Sequence, residues 1–144
     1  MTAADCITPW NLAINLLHEH RCQFIYDSPV TNDPFALLDY LPYFLKTFLL
    51  ELPIYLLLLR GLKSLRQILL INLVVNLATH PIVFFGIPLL LINGTYLQYL
   101  IIAEIFAPAV EAWLLFQIFK IRPGRAILAA LLANLFSWGV GVYW

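Results

Sequence analysis

Charged side chains are scarce in this 144-residue sequence. Eight Lys and Arg and eight Asp and Glu make up 11% of the chain, against about 25% in ordinary globular proteins. That is too little charge to coat a water-facing surface. With 62% hydrophobic residues and a mean hydropathy of +0.88, a soluble domain is excluded. The net charge is zero and no basic stripe is present, so nothing would neutralise phosphates and a nucleic-acid partner is excluded too. Cysteine is as sparse: Cys6 and Cys22 are the whole supply. Two cysteines do not make a disulfide scaffold, although in an oxidising compartment they can pair. Two free thiols and two metal-ligand thiols are the alternatives. There is no Gly-rich phosphate loop, no His-Glu-x-x-His zinc motif and no Gly-x-Ser-x-Gly nucleophile elbow.

What the sequence has instead is long apolar runs, at roughly 35–60, 66–92, 96–120 and 126–144. Each is long enough to cross a bilayer as a helix, the last only just. The runs are continuously apolar rather than alternating, which argues against membrane strands. The connections at 61–65 and 121–124 are short and imply antiparallel neighbours. The expected fold is therefore an all-α integral membrane protein: a four-transmembrane-helix bundle in the lipid bilayer, over 35–144, behind an N-terminal tail over 1–34.

Thr8-Pro9-Trp10 reads as a helix start, with Thr8 as cap and Pro9 in the first turn. Trp10, Ala13, Ile14 and Leu17 then share a face, which predicts a short interfacial helix rather than a fifth span. No basic, apolar leader opens the chain, so the first span is expected to act as an uncleaved anchor. The tail also carries His18, His20 and Cys22, a spacing at which imidazole and thiolate could bind a metal ion. Glu19 in the same stretch suits the plainer reading of a polar helix end.

Basic residues set the orientation. Arg60, Lys63 and Arg66 separate the first two spans, and Lys120, Arg122 and Arg125 separate the last two. The tail holds Asp5, Glu19, Asp27, Asp33 and Asp39 instead. The positive-inside rule makes both basic turns cytoplasmic and both termini extracytoplasmic. The expected location is a plasma membrane of the bacterial inner-membrane kind.

Four polar side chains sit deep in the spans. Glu51, Asn76, Glu111 and Asn134 each lie nine or ten positions inward from the nearest of Arg60, Arg66, Lys120 and Arg125. At about 1.5 Å per residue they fall roughly 13–15 Å inside one face of a ~30 Å hydrocarbon core. Carboxyl groups at that depth are costly and mark a functional or a paired structural site. Two glutamates and two asparagines can coordinate a cation, share a proton, or simply hydrogen-bond the helices together. A second layer of Lys46, His80 and Glu104 lies about 21–24 Å from the same face. Glu104 and Glu111 share one helical face, as do Asn72, Asn76 and His80. The two layers thus predict a polar track from the outer surface to the midplane. The plain reading has Lys46 snorkelling outward and His80 as a satisfied core histidine. A haem or chlorophyll ligand is a poor reading of that lone histidine.

Pro53, Pro81 and Pro108 interrupt three spans beside these layers and free the carbonyls of Leu49, Leu77 and Glu104. The two hairpins also resemble each other. Each has a Glu nine positions before a basic residue, then a return strand of similar sequence: Asn76-Leu77-Ala78-Thr79 in one, Asn134-Leu135-Phe136-Ser137 in the other. The implied repeat is parallel, about an axis along the membrane normal, with any shared site between the halves.

The function expected from the sequence is passage of a proton or a small cation, including a metal ion. Glu51 and Glu111 would be carriers, Asn76 and Asn134 neutral ligands, and Lys46, His80 and Glu104 the outer access. Two other classes compete: a non-catalytic subunit or assembly factor of a larger membrane complex, and an intramembrane enzyme built on Glu111 and His80. Small size and the aromatic Trp138, Tyr143 and Trp144 suit a subunit, whereas a lone homo-oligomer suits transport.

Overall fold

The computed structural model of the chain describes residues 36–91 and 96–143. The interfacial helix, Cys6, Cys22 and the candidate metal ligands His18 and His20 lie outside the described residues.

The described residues form helices and no strand. Helix α1 spans Ala36–Leu59 and α2 spans Leu65–Pro81. A π turn at Ile82–Gly86 and a short α3 at Ile87–Leu90 continue the second span, followed by α4 at Tyr96–Gln117 and α5 at Pro123–Tyr143. Four stretches are long and apolar enough to cross a membrane: Tyr40–Leu59, Leu65–Leu90, Leu97–Gln117 and Pro123–Gly141. The expected four-helix membrane bundle is what the chain forms.

Its turns follow local chemistry. Gly61 adopts φ 90°, a left-handed conformation that glycine tolerates, and closes the first hairpin. Ser64 then starts α2 with a reciprocal capping box to Gln67, which satisfies two of the free N–H groups at the helix start. In the second hairpin Lys120 takes φ 53°, and the Ile121 N–H returns to the Leu115 carbonyl. Prolines 53 and 108 are absorbed within continuous helices. Pro81 is not: α2 ends there, and the Ile87 N–H reaches back five residues to the Ile82 carbonyl. The π turn lies between two residues that lack an N–H, Pro81 and Pro88.

The helices stand in a square in the order α1, α2, α4, α5, with α4 against α5 and α5 against α1 as the most extensive contacts. The outward faces are leucine-rich; Leu57 is 76% exposed and Ile105 65%. In lipid this is an ordinary solvent-facing surface. Inside, Tyr55, Leu59, Ile68, Ile71, Val75 and Leu115 pack with Ala126, Ala129, Ala130 and Ala133 of α5. Alanine lets helix backbones approach closely, which accounts for the tight packing of α5 on both neighbours.

Candidate functional site

All four midplane residues meet in one hydrogen-bonded cluster, and all are buried, with Glu51 and Glu111 each 1% exposed. Within the first hairpin the Asn76 amide Nδ2 donates to Glu51 Oε2 at 2.7 Å. Within the second the Asn134 Nδ2 donates to Glu111 Oε2 at 2.8 Å. Each amide also donates to a carbonyl one turn back in its own helix: Asn76 to Asn72 at 3.0 Å, Asn134 to Ala130 at 2.9 Å.

Hydroxyls tie the hairpins to each other. Thr79 Oγ1, one turn beyond Asn76, lies 3.1 Å from Glu111 Oε1. Ser137 Oγ, one turn beyond Asn134, lies 3.4 Å from Glu51 Oε1. Tyr55 crosses the bundle diagonally and donates to Glu111 Oε2 at 2.8 Å. On the first hairpin the Asn72 amide donates to the Phe48 carbonyl at 2.8 Å. No Lys or Arg lines the cavity around these groups. Neutral N–H and O–H dipoles are what stabilise negative charge there.

That cavity, about 150 Å³, is lined by both glutamates, Asn76, Thr79, Asn134 and Ser137, and outward by Thr47, His80 and Glu104. A second cavity, about 330 Å³, shares Thr47, His80, Val83 and Ser137 with it and adds Lys46, Tyr43 and Tyr99. The outer-layer residues therefore fall along two adjoining cavities: His80 lines both, Glu104 the inner and Lys46 the outer. Lys46 Nζ lies 3.4 Å from the Gly141 carbonyl. His80 Nε2 sits 3.2 Å from Thr47 Oγ1, while its Nδ1 is buried without a partner among the described residues. Rings surround it: Tyr40 at 5.3 Å, Phe44 at 5.8 Å and Phe84 at 6.4 Å between centroids.

Tyr55, Thr79 and Ser137 are part of the cluster although depth counting singled out none of them. Tyr55 lies one turn from Glu51 and so on the same face, a readable signal. Thr79 and Ser137 stand in the two matching tetrapeptides, which mark a repeat but give neither residue a partner. Their contacts run to the opposite hairpin, and local spacing does not carry that information.

The fold and the site together define a polytopic helical membrane protein with a polar, hydrogen-bonded core within its spans. The chain matches no protein-family model, no curated protein and no solved structure.

Proposed function

We propose that this protein translocates a proton or a small cation across a membrane, with Glu51 and Glu111 as the groups that hold it. The observation that carries the reading is the join of two fully buried carboxyls to a cavity whose outer wall is His80, Thr47 and Glu104. A cluster serving only to hold helices together needs no such opening. Placement of Arg60, Lys63, Arg66, Lys120, Arg122 and Arg125 around the two hairpin turns supports a plasma-membrane orientation with those turns inside. Both Asn–Glu pairs, and both hydroxyls one turn beyond the Asn, support a parallel duplication of one hairpin.

The test is ion flux in proteoliposomes containing the purified chain and its Glu111→Gln variant. The expected result is flux in the parent and none in a variant that remains folded and monodisperse. Equal flux in the two would refute the role of Glu111. A chain that carries no ion, yet whose Glu51→Gln variant lowers the yield of a co-purifying membrane complex, would establish the subunit reading instead.

A further inference from the structure

Counting hydrogens in the cluster narrows the ion, on the premise that the cluster is the transport site just proposed. At Asn76, Nδ2 faces three oxygens: Glu51 Oε2 at 2.7 Å, the Asn72 carbonyl at 3.0 Å and Asn72 Oδ1 at 3.1 Å. Turning the amide over would set oxygen against oxygen at all three contacts, so its orientation is fixed as a donor. Asn134 Nδ2 likewise faces two oxygens, of Glu111 and Ala130. Both asparagines therefore turn their hydrogens, not their oxygens, to the carboxyls. Glu111 Oε2 already receives two donors, Tyr55 and Asn134. A dehydrated cation, which wants several oxygen lone pairs, meets hydrogens at Oε2 of both carboxyls.

The remaining carboxyl oxygens behave differently. Glu111 Oε1 faces the Thr79 hydroxyl, and that hydroxyl has one hydrogen for two acceptors: Glu111 at 3.1 Å and the Val75 carbonyl at 2.9 Å. Glu51 Oε1 faces Ser137, whose single hydrogen is divided in the same way between Glu51 at 3.4 Å and the Asn134 carbonyl at 3.1 Å. Two arrangements fit each set of positions. With the carboxylate ionised, the hydroxyl donates to it. With a proton on Oε1, the carboxylic acid donates to the hydroxyl oxygen and the hydroxyl turns its hydrogen to its own helix carbonyl. Neither arrangement orphans a buried donor, and neither moves the backbone.

A second observation marks a place for a guest. Asn76 Oδ1 is buried without a partner among the described residues, on a residue that is 1% exposed and lines the cavity. It needs a donor, and the cavity of about 150 Å³ has room for water, which takes up about 30 Å³ per molecule in the liquid. The titratable groups lining this cavity, or bonded to the groups that do, are Glu51 and Tyr55 from α1, His80 from α2, and Glu104 and Glu111 from α4. Helix α5 contributes only Asn134, Ser137 and Trp138 to the lining.

We propose that the ion this cluster handles is the proton itself, taken up at Oε1 of Glu111 and of Glu51, with Thr79 and Ser137 as relay hydroxyls that turn between carboxylate and helix carbonyl. In the loading step a protonated cavity water loses H⁺ and an O–H bond forms at Oε1. The hydroxyl hydrogen rotates to the Val75 or Asn134 carbonyl, and neutral water remains. Unloading is the reverse.

The experiment is flux into vesicles of the full chain, followed in parallel with an internal pH dye and with Na⁺, K⁺ and Mn²⁺ tracers. Proton flux should be present, lost in Glu111→Gln, down about tenfold in Thr79→Val and retained in Thr79→Ser. Infrared spectra of the same samples should show a protonated-carboxyl C=O band whose position shifts in Thr79→Val, whether or not transport is measured. Flux of a metal cation without proton flux, abolished by Glu111→Gln, would overturn the proton assignment and leave the transport reading standing. A carboxyl band indifferent to Thr79→Val, or Thr79→Val flux equal to the parent's, would overturn the relay. Absence of every flux above that of empty vesicles would overturn the transport reading beneath it.

Discussion

Replacing Glu111 by Gln and by Leu should give different stability results, although both remove the same charge. In Glu111→Gln the side-chain oxygen can keep the Oε2 position, accepting from Tyr55 and Asn134. The amide nitrogen then takes the Oε1 position and donates to Thr79, whose hydroxyl turns to Val75. Gln thus copies the protonated acid at each existing contact, with one further N–H on the amide. Leu leaves the Tyr55 hydroxyl and one Asn134 N–H without an acceptor, in a region where Tyr55 is fully buried. Hydrogen bonds between membrane helices average about 0.6 kcal/mol and reach about 1.7 kcal/mol. Losing two places the Leu variant about 1–3 kcal/mol below the parent on this scale. The Gln variant should stay within about 0.5 kcal/mol, the range of changes that disturb no packing or pairing. Reversible unfolding in mixed micelles of rising denaturing-detergent fraction reads both. Should Gln prove as destabilising as Leu, the hydrogen-bond assignment around Glu111 is wrong.

Three further outcomes are expected. Tyr55→Phe removes one diagonal bond and should cost about 0.6–1.7 kcal/mol in the same assay, with no loss if the hydroxyl is not bonded to Glu111. Ala129→Leu forces bulk into the fully buried α5 face, away from the polar cluster. It should cost about 1–3 kcal/mol by overpacking, and an unchanged midpoint would contradict the close approach of α5. Single cysteines at Lys63 and Arg122, in a background without Cys6 and Cys22, should both resist an impermeant thiol reagent in intact cells; labelling of either would reverse the proposed orientation.

Much of the architecture is legible in the sequence because the bilayer imposes it. Apolar run length gives four spans to within a few residues of their observed ends. The depth of Glu51, Asn76, Glu111 and Asn134 relative to flanking Arg and Lys places them in one layer, since helical rise is fixed. What depth cannot supply is rotation about each helix axis. That rotation decides that Thr79 reaches Glu111 and Ser137 reaches Glu51, and it is set by packing between hairpins. The π turn after Pro81 was equally hidden. Proline announces a lost donor, but Pro53 and Pro108 lose one too and their helices run on. Which remedy the backbone takes is not written in the proline; the π turn carries Phe84 and Phe85, whose rings pack on Tyr40.

The inner faces of α2 and α5 align position for position at one constant offset. Ile68, Ile71, Val75, Asn76 and Thr79 correspond to Ala126, Ala129, Ala133, Asn134 and Ser137. Asn76 matches Asn134 and Thr79 matches Ser137 in kind, Asn72 corresponds to Ala130, and the apolar members are bulky on one helix and minimal on the other. Since a close-packed interior conserves total volume rather than individual residues, drift on the two faces is coupled. A gain at an alanine of α5 is tolerated where an isoleucine of α2 shrinks. Across diverged sequences these paired positions should covary in size with opposite sign, and Asn76 with Asn134 should not vary at all. Independent variation at the two faces would show that they do not share one interior.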